Sequence, residues 1–388
     1  MMDAVKLALV GAVLLLLGGA AVVSGVLPVS DALAVADRVW PVLLFVVAVT
    51  VVAELAAIAG VFDAAAARLS RWSRGRTVVL WLLVVALAAV STTFLSLDTT
   101  AVLLTPVVIA VARANHLPPL PFAFTTVWLA NTASLLLPVS NLTNLLAEHR
   151  LGGIGAVGFA MLLGPSALVA VLATTALLWV LHRRALRGRF DPAPPPRVAD
   201  RQQLVVAASV VLVLLPLLVS GLPPWMPALA AAVVLTAYMA WRSPRVLHPG
   251  LVPWSLLVFA SGLFLAVAAL ESLGSGAVVG AAAGTGEGLT DLWRLAGAGM
   301  LAANAVDNLP AYLAFESVAD SPVRLAALLV GVNAGPLITP WASLATLLWH
   351  QRLRAVGVDV PWRRYMLAGL VAAPIVVGLS VIPLAALA

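Results

Sequence analysis

Two apolar runs, 77–96 and 100–113, are separated by residues 97–99 alone, and the residue at the centre of the gap is Asp98. The pattern returns at 292–306 and 308–319, where Asp307 is the interruption. Runs of about 20 apolar residues are long enough to cross the hydrocarbon of a bilayer. A break this short does not make a solvent loop between two full crossings. Both pairs are therefore expected to fold as re-entrant hairpins, at about 77–113 and 292–319, with tips halfway through the membrane. Irregular backbone at that depth must line protein or a wet cavity, because lipid offers it no hydrogen-bond partner.

The remaining residues point to the same solvent. Of 388 residues, 63% are hydrophobic and 10% charged, against about a quarter charged in soluble domains. The chain is read as an all-α polytopic membrane protein; a transmembrane barrel would show short alternating strands instead. The first run, 4–27, follows only Lys6 and lacks a small-residue cleavage site, so it is expected to be a retained helix rather than a signal peptide. The absence of cysteine excludes disulfides, thiolate metal sites and cysteine catalysis. The net charge of +6 comes from arginines in short loops between apolar runs, which fits membrane topology better than nucleic-acid binding. Lys6 stands alone among many arginines, a usage that fits a GC-rich bacterial genome.

A second pair of segments repeats across the chain. NTASLLLPVSNLTNLL begins at Asn131 and NAGPLITPWASLATLL at Asn333. Laid one over the other, they share Asn131/Asn333, Leu135/Leu337, Pro138/Pro340, Leu142/Leu344 and Leu145/Leu347. Pro138 and Pro340 sit inside helical runs, 121–146 and 323–349, with polar residues on both sides. Proline removes one intrahelical hydrogen bond and clashes with the preceding turn. Two prolines at equivalent places predict two broken transmembrane helices. The chain then divides into an N-terminal repeat (1–181), a cytoplasmic linker rich in proline and arginine (182–203) and a C-terminal repeat (204–388).

Charge asymmetry sets the orientation. With the N-terminus inside, only Arg38, Arg150, Arg294 and Arg324 of 22 Lys and Arg residues fall outside. The same path gives matching elements of the two halves opposite directions. The expected fold is thus two inverted-topology repeats, each with a re-entrant hairpin and a broken helix, the plan of a secondary transporter.

Amides, hydroxyls and carboxylates are costly in hydrocarbon, so those at the breaks are the candidate site. From the first half these are Asp98, Thr99, Thr100, Asn131, Thr132, Ser134, Ser140, Asn141 and Asn144; from the second, Asp307, Asn308, Asn333, Thr339, Ser343 and Thr346. Some will serve as helix–helix hydrogen bonds, Thr143 first among them. The repeat-related pairs Asn141/Ser343 and Asn144/Thr346 are the stronger ligand candidates. Asp98 and Asp307 are candidates for proton coupling, since a carboxyl group without a fixed cation can exchange a proton. Either aspartate is alternatively the N-cap of the hairpin helix that follows it, and for Asp98 the two roles are compatible. Glu54 either joins a proton path or is structural. No metal site or cofactor is expected, the coupling ion being a proton or sodium.

At these residues the chain resembles the ion-transporter superfamily and, within it, the arsenite/antimonite efflux permeases. The likeness is densest in SRWSRGR (70–76), DTTAVLLTPVVIA (98–110), NTASLLLPVSNLTNLL and ITPWASLATLLW (338–349). The resemblance implies the same two-repeat fold and efflux by alternating access from the bacterial inner membrane. Such permeases usually carry aspartate at the places of Asn131 and Asn333, asparagine at that of Asp307 and lysine at that of Leu337. The carboxylates are redistributed here. The expected substrate is arsenite or antimonite, exported against protons; the alternatives are a sodium-coupled carboxylate or oxyanion carrier and a sodium/proton antiporter. An intramembrane aspartyl protease would need a Gly-x-Gly-Asp motif, which neither Asp98 nor Asp307 has. The partners that fit are the bilayer, a small anion or neutral oxyacid, a second copy of the chain and an energising ATPase subunit.

Overall fold

The computed structural model describes residues 2–194, 200–273, 280 and 283–387, with side chains from residue 8 onward. Among them the chain is helical throughout; the single β-type pairing is an isolated bridge between Arg76 and Arg189. Among the described residues, six helices are long and apolar enough to cross a membrane.

The first half runs α1 (Met2–Val23), α2 (Val29–Ile58), α3 (Val61–Trp72), α4 (Thr77–Leu95), α5 (Leu97–Ala114), α6 (Pro119–Thr132), α7 (Leu142–Arg150) and α8 (Gly155–His182). Residues 40–62, a largely apolar run in the sequence, are therefore not one element. Gly60, at φ 82°, turns the chain between α2 and the short amphipathic α3, which buries Phe62, Ala66 and Ser70. The second half runs α9 (Arg201–Leu217), α10 (Trp225–Arg242), α11 (Trp254–Ser272), α12 (Leu289–Ala305), α13 (Asn308–Glu316), α14 (Pro322–Ala334), α15 (Leu344–Ala355) and α16 (Trp362–Val381).

Helices pack between the halves as well as within each. Helix α1 packs along α11, and α2 packs along α10. Helix α15 of the second half lies on α5 and α6 of the first, while α7 of the first half lies on α13 and α14 of the second. The apolar core records the same exchange. Leu337, Ala345, Trp349 and Leu353 belong to the cluster around Trp81, Leu104 and Phe124. Leu135, Leu146 and Ala147 belong to the cluster around Leu292, Tyr312 and Leu328. Trp349 seals its side by donating from Nε1 to the Ala123 carbonyl at 2.9 Å.

The loops gather at two ends. At one, the 182–203 linker is tacked down: Phe190 N donates to Gly75 O at 2.8 Å, and Ala193 N to Asn115 Oδ1 at 2.8 Å. Its residues Pro195 and Pro196, part of the expected proline run, lie outside the described residues. Asp200 caps α9 by accepting from Gln202 N and Gln203 N, and it pairs with Arg242. Those backbone hydrogen bonds, that of Gln203 foremost, hold its carboxyl below the usual range. At the other end of α8 and α10, Arg38 pairs with Glu316, which also accepts from Tyr312 Oη at 2.8 Å.

Close backbone approach decides where glycine is required. A Cβ at Gly331 would meet the carbonyl oxygen and Cα of Ala296, neither of which can rotate away. Gly331→Ala is expected to cost about 1–3 kcal/mol by overpacking, read as a lower Tm of the purified protein. Gly378→Ala, where a Cβ meets nothing, is the matched control and should not lower Tm.

Candidate transport site

The chain reverses between α4 and α5 through one residue, Ser96, whose φ of 86° is unusual for a side chain with a Cβ. Ser96 Oγ accepts from Thr99 N at 3.4 Å and so caps α5. The capping role open to Asp98 thus falls to Ser96, and the Asp98 carboxyl is left facing two cavities. In the second half, Asp307 is itself the cap, with Oδ1 accepting from Leu309 N at 3.1 Å. The Leu344 N–H at the start of α15 also faces the Asp307 carboxyl, and Asp98 lies within electrostatic range of it.

The helix breaks are residues 133–141, between α6 and α7, and 335–343, between α14 and α15. Pro138 opens a tight 3₁₀ turn in the first; Pro340 lies in the irregular second. Helix α14 also loosens into a π-turn at Val330–Ala334 just before its break. Breaks expose backbone groups that must find partners. In the first, Asn144 Nδ2 donates to Ser134 O at 2.6 Å and Leu137 O at 3.0 Å, and Ser140 Oγ donates to the same two carbonyls. In the second, Asn304 Oδ1 accepts from Ile338 N at 3.1 Å and Thr339 N at 3.0 Å, while its Nδ2 donates to Gly335 O at 2.9 Å. Thr339 Oγ1 closes that set on Asn304 O at 2.7 Å.

One node joins the two breaks. Asn333 Oδ1 accepts from Asn141 Nδ2 at 2.9 Å and from Thr143 Oγ1 at 2.8 Å, and Asn333 Nδ2 donates to Asn144 Oδ1 at 2.6 Å.

Between the hairpin tips and the breaks lies a cavity of about 230 Å³ whose polar lining is Thr50, Ser96, Asp98, Asn141, Asp307, Asn308, Trp341 and Ser343. No Lys, Arg or His is among its described lining residues. Ser343 Oγ is fully buried and has no hydrogen-bond partner among the described residues. Asp98, Thr50 and Leu344 also line a vestibule of about 790 Å³ that extends to the exposed Arg352 at the linker end of the molecule. Phe45, Val139 and Leu145 line both the central cavity and a third one, of about 370 Å³, near Arg38 at the opposite end.

The structure thus brings six of the sequence candidates to cavities: Asp98, Thr99, Asn141, Asp307, Asn308 and Ser343. The others sit in packing contacts. Thr100 bonds Ser91 and Thr92, Thr132 bonds Trp128 O, and Thr346 meets the Tyr365 hydroxyl. Asn131 Nδ2 donates to Val127 O and leaves Oδ1 without a partner. Ser134, Ser140, Asn144, Asn333 and Thr339 hold the breaks themselves. Ser96, Asn304 and Thr50 were not singled out by sequence reasoning. An amide inside an apolar run, one turn before Asp307, was the available signal for Asn304.

Comparison with known proteins follows the same lines. The family model described as citrate transporter matches residues 2–346. The chain is 30% identical over 383 residues to an arsenical pump membrane protein of Escherichia coli, covering 90% of this chain and 87% of that protein. The arsenical pump membrane protein of Yersinia enterocolitica matches at the same identity and coverage. Among solved structures, the YdaH transporter of Alcanivorax borkumensis shares the fold with a TM-score of 0.58 at 15% identity, covering 99% of this chain and 97% of that one. Fold and relatives together define a bacterial membrane transporter. The chain belongs to the citrate-transporter family of the ion-transporter superfamily, alongside the arsenical pump membrane proteins.

Proposed function

We propose that the protein exports arsenite or antimonite from the bacterial cytoplasm in exchange for protons, by alternating access. The observation that carries this reading is the lining of the central cavity: carboxyl, amide and hydroxyl groups with no basic side chain among the described residues. At neutral pH arsenite is chiefly the uncharged trihydroxide. Such a solute can donate to carboxylates and accept from amides, as in Asn141 and Asn308, and needs no fixed cation. Buried Ser343 supplies a hydroxyl with hydrogen-bonding capacity to spare. Without cysteine the site has no thiolate to trap a thiophilic solute.

The reciprocal contacts between halves support inverted repeats, and the loop arginines support a cytoplasmic linker end. The vestibule then faces inward, and Phe45, Val139 and Leu145 form the closed outer constriction. Asp98 and Asp307 would exchange protons as the hairpins and breaks shift against the surrounding helices. Proteoliposomes loaded at low internal pH test this in the inward-facing orientation. Arsenite uptake that collapses when the pH gradient is dissipated is the expected result. Native protein that moves neither arsenite nor antimonite under a gradient overturns the substrate.

A second reading rests on the matched family's description. A carboxylate such as citrate would meet two aspartates, so it would need sodium bound at Asp98 or Asp307 to offset the repulsion. Citrate flux dependent on sodium, with none for arsenite, favours it.

A further inference from the structure

The two aspartates do not reach the aqueous face on their own. Asp98 lies where the central cavity meets the vestibule, and the vestibule wall is mainly apolar from there to Arg352. Among the described residues one other carboxyl lines it: Glu54, on α2. The three acids therefore follow one another through adjoining spaces, Asp307 with Asp98 in the central cavity and Asp98 with Glu54 in the vestibule.

We infer that Glu54 is the proton exit of the transport cycle, receiving the proton that Asp98 releases and passing it to the cytoplasmic solution. This rests on the proton-coupled reading above. The step is a transfer through cavity water: Asp98 ends ionised, Glu54 ends protonated, and Glu54 then loses that proton to bulk water. No electrons move and no co-reactant is needed. A volume of about 790 Å³ holds many waters at roughly 30 Å³ each, so no direct contact between the acids is required.

Chemistry selects Glu54 from the other polar groups there. Arg352 cannot give up its proton, and Gln351 and the hydroxyls of Thr50, Thr99 and Ser255 do not hold a charge-changing proton at working pH. Among the described residues, the charged or titratable groups that face Glu54 are Arg352 on α15 and His248 in the loop before α11, with Asp98 in the same cavity. Arg352 lines the same vestibule as Glu54 and places a fixed positive charge at its outer part. His248 is committed elsewhere, since its Nδ1 accepts from Gly250 N at 3.1 Å.

The test measures proton release inside or outside liposomes with a pH dye when solute is added, using arsenite, antimonite and citrate in turn. Glu54→Gln is expected to slow coupled flux at least about tenfold, less than the hundredfold or more that a positioned acid can supply, because water carries part of the traffic. Glu54→Asp should retain most of the flux. Formate, a small acid able to enter the vestibule, should restore Glu54→Gln, a rescue that a packing defect would not show. Native flux in Glu54→Gln, or a loss that neither aspartate nor formate repairs, overturns the proposal. Native protein that is silent to arsenite but active with citrate removes the substrate reading while the Glu54 comparison proceeds on citrate. No proton movement with any solute removes Glu54 as an exit.

Discussion

Asp98→Asn and Asp307→Asn are each expected to cut gradient-driven flux by about a hundredfold or more, the scale of a positioned proton carrier, with little change in folding. Asparagine keeps the shape of the side chain but cannot take up and release a proton. For Asp307 the cap on Leu309 N survives, because asparagine accepts from the backbone as aspartate does. For Asp98 the cap belongs to Ser96 and is untouched. Thermal stability in detergent should therefore stay close to native while coupled flux disappears, and that separation marks a functional role. The double variant should be little worse than either single one. Both carboxyls line one cavity of about 230 Å³ and repel when both are ionised, so they act as a unit and their losses do not add. Undiminished uphill flux in either single variant would remove that residue from the coupling scheme.

How much of this could be read from the chain depends on what each residue announces. Asp98, Asp307, Pro138 and Pro340 are conspicuous because a carboxylate or a proline is out of place in an apolar helix, and residue type alone is the signal. The doubled pattern from Asn131 and Asn333 likewise exposes the two breaks. It does not say which polar groups face a solute. Asn144 and Asn141 look alike in sequence, yet Asn144 spends its amide on Ser134 and Leu137 while Asn141 reaches the cavity. The difference lies in how the breaks fold back on themselves. Asn304 was hidden for another reason: its partners, Ile338 and Thr339, come from the break at 335–343, more than thirty residues along the chain. Ser96 carries the reversal at a positive φ that serine does not advertise. The sequence does not pair Glu316 with anything, because its partner Arg38 is brought beside it by α2 from the other half.

Asn333→Leu should be the most destabilising single change at the junction of the two halves. It removes one acceptor and one donor and leaves three partners facing the gap: Asn141 Nδ2, Thr143 Oγ1 and Asn144 Oδ1. Hydrogen bonds between membrane helices average only about 0.6 kcal/mol each, which sets a floor near 2 kcal/mol for three. Leaving a buried polar group unpaired costs about 1–3 kcal/mol, which sets a higher ceiling. The surroundings decide between the two. Asn141 lines the central cavity and can turn to water there, whereas Thr143 and Asn144 are wholly buried. Asn144 cannot rotate its amide to compensate, because Nδ2 is already held by Ser134 and Leu137. The expected loss is thus about 2–4 kcal/mol, seen as a drop of several degrees in Tm. Transport should fall along with it, since the same node sets the position of Asn141 in the cavity wall. A Tm within about one degree of native would mean that apolar packing, not this hydrogen-bond node, holds the two breaks together.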